Sequence, residues 1–111
     1  LLILKSNQLV ELDSNLFKDL INLKFLFLNI NKLKVVTTQL LVRNKKLEKV
    51  WFDQNQIERI DVETFDMLPE LKDVDFNGNF CINKRYGIEF ITRGFDQDRI
   101  NFKNDVKSNC T

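Results

Sequence analysis

Trp51, Asp53, Asp73 and Asp75 fall within one short window and are of types that could do chemistry. Two carboxylates held a few ångströms apart, as Asp53 and Asp75 could be, are the apparatus of glycoside hydrolysis, with the indole of Trp51 as a sugar platform. The three aspartates together could instead supply oxygen ligands to calcium. The rest of the chain gives catalysis little support. It has no histidine and a single tyrosine, which removes the commonest general acid–base groups. An open surface carrying Asp53 and Asp75 is not expected to exclude water or to raise a carboxylate pKa. The expectation is a chain that is not an enzyme and needs no cofactor or metal. Carbohydrate or glycolipid binding on Phe27 and Trp51, without chemistry, stays open beside it.

What must position these residues is a repeat. Asparagine recurs at Asn7, Asn31, Asn55 and Asn79, at a constant interval of 24 residues. Apolar residues keep the same phase: Leu2 and Leu4, Leu26 and Leu28, Val50 and Phe52, Val74 and Phe76 precede the asparagines. Leu9, Leu33, Ile57 and Cys81 follow them, and Leu12, Val36 and Ile60 come three residues later. An amide both donates and accepts, so each asparagine is placed to satisfy backbone groups of the turn leaving a strand.

This pattern, L-x-x-L-x-L-x-x-N-x-L, resembles extracellular leucine-rich repeats of the 24-residue kind, Phe17 and Phe65 included. The resemblance covers residues 1–79, about three and a half repeats. It implies an α/β solenoid in which a parallel β-sheet lines the concave face and short helical or irregular segments form the convex side. Residues 80–111 break the period, and the string from Asn79 to Tyr86 resembles the start of the cysteine-containing cap of secreted leucine-rich-repeat proteins, in a short two-cysteine form similar to insect examples. A capping segment of that kind implies a single Cys81–Cys110 bridge, and with it a secreted protein or the outer face of a cell. Asn109-Cys110-Thr111 is formally a glycosylation sequon.

Local signals refine the expectation. Asp13 and Ser14 could cap a helix over Leu16–Leu20, and Asp61 one over Val62–Leu68, stopped by Pro69. In the second repeat Leu41 stands in place of the phenylalanine, and Asn44 in place of Leu20 and Leu68, so the outer segment from Thr37 to Lys46 is expected to be the loosest. Leu1 to Leu4 fall in phase as a strand with no cap before them, so further repeats or a cap are expected upstream.

With 17 basic against 16 acidic residues, the chain lacks the basic excess of a nucleic-acid or anionic-membrane surface. The short clusters Arg43, Lys45, Lys46 and Lys84–Arg85 read as solvated turns. No apolar stretch approaches the ~20 residues that span a bilayer, so this segment is not expected to insert in a membrane. Nothing in the sequence signals an oligomeric state.

Side chains alternate along a strand, so residues of one repeat phase form columns on the concave face. The columns are Leu1, Phe25, Lys49, Asp73; then Ile3, Phe27, Trp51, Asp75; then Lys5, Asn29, Asp53, Asn77. With Ile30 beside Asn29, the residues Leu1, Ile3, Phe25, Phe27, Ile30 and Trp51 are expected to form an apolar patch rimmed by Lys49, Asp53, Asp73 and Asp75. An exposed patch of this kind is a binding surface. The expected function is a non-catalytic module that recognises a protein partner on its concave sheet, with immune recognition or adhesion as the roles that the family resemblance suggests.

Overall fold

The computed structural model describes residues 1–87 and 96–111. Five short strands form the main sheet: β1 (Leu2–Ile3), β2 (Phe25–Phe27), β4 (Lys49–Trp51), β6 (Asp73–Asp75) and β7 (Arg85–Tyr86), in that spatial order. A second sheet pairs β3 (Val35–Val36) with β5 (Arg59–Ile60). The helices are α1 (Thr38–Leu41) and α2 (Asp96–Asn109).

The first four strands of the main sheet are parallel and pair at the spacing of the asparagines: Leu2 with Leu26, Leu26 with Val50, Val50 with Val74. The asparagine amides hold that register. Asn31 donates Nδ2 to the carbonyls of Leu4 and Leu28, each at 3.0 Å, and its Oδ1 accepts from the backbone of Asn7 at 2.9 Å and Leu9 at 3.0 Å. Asn55 repeats this on Leu28 (3.1 Å), Phe52 (2.9 Å) and the Leu33 N–H (3.0 Å). Asn79 does so on Phe52, Phe76 and the Ile57 N–H. Asn7 has no such neighbour and donates to Lys5 O from an exposed position. Before each asparagine the backbone turns left-handed, at Ser6 (φ 63°), Ile30 (57°), Gln54 (58°) and Gly78 (74°).

An elongated α/β solenoid with an all-parallel concave sheet is not what forms. The sheet is mixed, because β7 runs antiparallel to β6, with Val74 opposite Tyr86 and Asp75 opposite Arg85. The molecule is a compact globule measuring 35 × 30 × 21 Å, with a radius of gyration of 12.7 Å, where a compact domain of this length should have roughly 13 Å. The physical reason is arithmetic: five strands at ~4.8 Å spacing stack to only about 20 Å, no more than the width of the loops of chain that carry them. The reversal at β7 then ends the parallel series.

The convex helices also differ from expectation. The segments after Asp13 and after Asp61 form successive tight turns closed over three residues, such as Leu16 N to Asp13 O at 3.0 Å and Thr64 N to Asp61 O at 3.0 Å. The segment expected to be loosest contains α1 instead. Its first residue, Thr38, donates its N–H to Asp61 Oδ2 at 3.1 Å, and Asn44, fully buried, donates to the carbonyls of Phe17 and Leu20 at 2.9 and 3.0 Å. An amide in a leucine position is here a clamp between successive loops.

The core joins the inward residues of the strands, among them Leu26, Leu28, Val50, Phe52, Val74 and Phe76, to Phe65 and to Phe102 and Val106 of α2. Phe102 lies 5.1 Å from Phe65, 5.5 Å from Phe76 and 5.3 Å from Tyr86 between ring centroids. Tyr86 Oη donates to Asp105 at 2.6 Å, and Arg99 donates to the carbonyls of Phe65 and Leu68. Burial first, then that hydrogen bond, pushes the Tyr86 hydroxyl pKa far above its usual range. Cys81 and Cys110 are bonded, and no free cysteine occurs among the described residues. The bridge closes a loop worth about 3–4 kcal/mol in the chain-entropy picture.

Asn31→Ala and Asn55→Ala leave several buried backbone groups without partners, so each is expected to cost about 1–3 kcal/mol. Asn7→Ala, open to water, should cost under about 0.5 kcal/mol. Urea unfolding of the three variants measures this, and equal small losses would remove the amide ladder as the source of register.

Candidate recognition face

Alternation along β2 and β4 buries Leu26 and Val50 and turns Phe25, Phe27, Lys49 and Trp51 to the opposite side, where all four are half-buried. The rings of Phe27 and Trp51 stack at 4.4 Å between centroids. Lys49 Nζ lies 5.7 Å from the centre of the Phe25 ring, a cation–π contact. Leu1 and Ile3 extend the apolar surface toward the β1 edge, 73% and 57% exposed.

Arg85 organises the other side of Trp51. From β7 it reaches back across β6, placing its guanidinium carbon 5.3 Å from the centre of the indole. It grips Asp73 with Nε on Oδ1 at 2.9 Å and Nη2 on Oδ2 at 2.7 Å. Trp51 Nε1 also donates to Asp73 Oδ2, at 3.2 Å. The hydrogen bonds to Asp73 raise the Arg85 pKa still further. Asp73 is buried, and both its oxygens are engaged. It is therefore a brace beneath Trp51 rather than part of a charged rim, and the three aspartates do not converge. Among the described residues no group of acidic, cysteine or histidine side chains is placed to hold a metal.

Asp53 and Asp75 remain on the face, both half-buried. Past the strand ends the register continues, with Ile30 N bonded to Asp53 O at 2.9 Å and Gln54 N to Asn77 O at 2.8 Å, so Asn29, Asp53 and Asn77 lie side by side. Asp75 Oδ1 accepts from the Asn77 N–H at 2.9 Å. Burial raises the Asp53 pKa above its usual 3.8, and the Asp75 charge raises it more; its own backbone N–H, then Arg85 and Lys5, pull it down. An open sheet does therefore raise a carboxylate here, against the sequence expectation, because Asp53 is sunk among its neighbours.

Two residues take places that pattern reasoning did not assign. Asn29, placed by the column pattern on the exposed face, is 9% exposed, and its Oδ1 is buried without a donor. Arg85, expected in a solvated turn, is the partner of Asp73 and Trp51. Its signal was invisible because β7 lies outside the 24-residue phase. Ile30 is 37% exposed, as an apolar member of the patch, but adopts the left-handed conformation that a β-branched residue rarely takes.

Away from this face, a groove of about 420 Å³ is lined by Val10, Leu12, Val35, Leu40 and Arg59, among others. It shares no residue with the aromatic surface. Asn109 is the last residue of α2, exposed, and donates to Asp105 O at 3.1 Å. No helix among the described residues is long and apolar enough to cross a membrane. No protein-family model matches the chain, and no curated protein matches it either.

Ile30→Gly is expected to stabilise the fold by about 1 kcal/mol, because glycine enters the left-handed region without the ~1–2 kcal/mol steric penalty. Thermal or urea unfolding checks it.

A raised folded-state pKa means that the folded chain holds the Asp53 proton more tightly than the unfolded chain does. Asp53 therefore withdraws stability as pH rises from the unfolded carboxylate value through the raised folded one. Asp53→Asn should be more stable than the parent above that window, with the gap closing below it. A gap independent of pH in unfolding curves would contradict this.

Proposed function

We propose that this chain is a non-catalytic protein-recognition module of a secreted or cell-surface protein, binding its partner on the exposed side of the five-stranded sheet. One observation carries the reading: Phe25, Phe27 and Trp51 form an aromatic row on the side of the sheet opposite the core, although inward residues already supply the core. Half-buried aromatics braced in place, with charged residues around them, have the makeup of interface anchors. Arg85 and Asp73 fix the rotamer of Trp51, which lowers the ordering cost of binding. The bonded Cys81–Cys110 pair supports an oxidising compartment, and the sequence resemblance to extracellular leucine-rich-repeat proteins points the same way, toward immune recognition or adhesion.

The packing of Trp51 favours a protein over a carbohydrate. The indole has Phe27 against it at 4.4 Å and the Arg85 guanidinium at 5.3 Å, which leaves its faces poorly placed for a sugar ring. Hydrolysis fares no better, since Asp53 and Asp75 sit on an open sheet and the groove lined by Val10, Leu12 and Leu40 lies off this face.

Selecting a displayed library of random dodecapeptides on the immobilised chain tests the reading. Trp51→Ala and Phe27→Ala should each weaken the selected binders by about 2 kcal/mol or more, some thirty-fold, with little change in melting temperature. Phe52→Ala should lose about 3–5 kcal/mol of stability instead. Binders indifferent to both aromatic changes, or displaced by free oligosaccharides, would overturn a protein-binding face.

A further inference from the structure

The same face holds polar atoms that the fold leaves unsatisfied. Asn29 Oδ1 and Asp53 Oδ1 are buried without a donor, on residues that sit side by side in register. Buried acceptors without partners are destabilising by themselves, and sequences seldom keep two together on one surface. Beside them stands Asp75. Neither Asp53 nor Asp75 belongs to an ion pair among the described residues, where the pairs are Lys72–Glu48, Arg85–Asp73 and Lys103–Asp66. The nearby cations make no ion pair with either carboxylate: Arg85 is clamped to Asp73, Lys49 lies over Phe25, and Lys5, whose charge reaches Asp53, forms no salt bridge with it. Trp51 and Phe27 border the cluster on the adjoining column.

Resting on the reading above, we infer that the partner protein inserts a basic side chain, lysine or arginine, against Asn29, Asp53 and Asp75, while an apolar neighbour of that residue packs on Phe27 and Trp51. An ammonium brings three N–H donors and a guanidinium five, with no acceptor, which is what a cluster of acceptors lacks. Asp53 turns its carboxylate to the incoming cation, which also relieves the repulsion between Asp53 and Asp75. The aromatic row receives the aliphatic stem and the neighbouring apolar residue. Specificity follows from charge: an acidic side chain offered to the same cluster meets two carboxylates and an amide oxygen, and is rejected.

The dodecapeptides selected on the unmodified chain give the test. They should be enriched in lysine or arginine next to an aromatic or aliphatic residue. Asp53→Asn and Asp75→Asn, both nearly isosteric, should each weaken those peptides about ten-fold, as expected of a partly desolvated charge pair, while replacing the peptide's basic residue by norleucine should cost as much on the parent chain and little on the double Asn variant. Peptides that need Trp51 but carry no basic residue, or bind both Asn variants at full strength, would overturn this inference and leave the recognition face standing. A selection that yields no Trp51-dependent peptide would overturn both.

Discussion

The arrangement rests on one interaction, the asparagine amide that bridges successive loops of chain. A primary amide donates twice and accepts twice. At Asn31 it binds the carbonyls of Leu4 and Leu28 and the N–H groups of Asn7 and Leu9, so one side chain closes a turn and fixes its distance from the turn before. A shorter polar side chain could not span both, and a carboxylate could not donate. The left-handed residue ahead of each asparagine aims the amide. Register then follows, and with it the choice of which residues face the core.

A sheet held in register from beneath leaves its other side free of packing duties. Leu26, Val50 and Val74 are sealed, while the positions between them carry Phe25, Phe27, Lys49, Trp51 and Asp75. They pack through lateral contacts instead: Phe27 on Trp51, Lys49 on Phe25, Arg85 on Asp73 and Trp51. The antiparallel β7 is what supplies Arg85, so the strand that ends the parallel series also braces the aromatic row.

Much of this was legible in the spacing, and the failures have physical causes. The interval between Asn7, Asn31, Asn55 and Asn79 determines both strand pairing and parity, because register and alternation depend only on sequence distance. Overall shape depends on how many loops stack and on what stops them. A motif seen in four windows says nothing of a reversal at Arg85–Tyr86, and the solenoid expectation failed there. Capping signals at Asp13 and Asp61 were real as turn signals, but chains that must return within a fixed number of residues close into tight turns before a helix can propagate. Asn29 and Asn44 look alike in sequence to the exposed Asn22. Their burial arises from neighbours a full loop away. The groups that α2 brings to Tyr86 and Phe65 were equally out of view.

The unresolved costs of the fold are unevenly placed. Hydrogen bonds satisfy Asn31, Asn55 and Asn79, and the strand residues that face the core are apolar. One orphaned oxygen, on Asn44, sits on the outer side of the molecule, where the amide's other atom already clamps two carbonyls. Two more, on Asn29 and Asp53, gather next to Ile30, the one β-branched residue in left-handed geometry among the described residues. Strain and unpaired polar atoms persist only where surrounding structure enforces them, and they collect where a surface is shaped for something else. The amide ladder supplies that enforcement: it sets the left-handed turn at Ile30 through Asn31 and the depth of Asp53 through Asn55. The place where the fold is least content is therefore the place where the ladder, the aromatic row and two carboxylates outside any ion pair among the described residues meet.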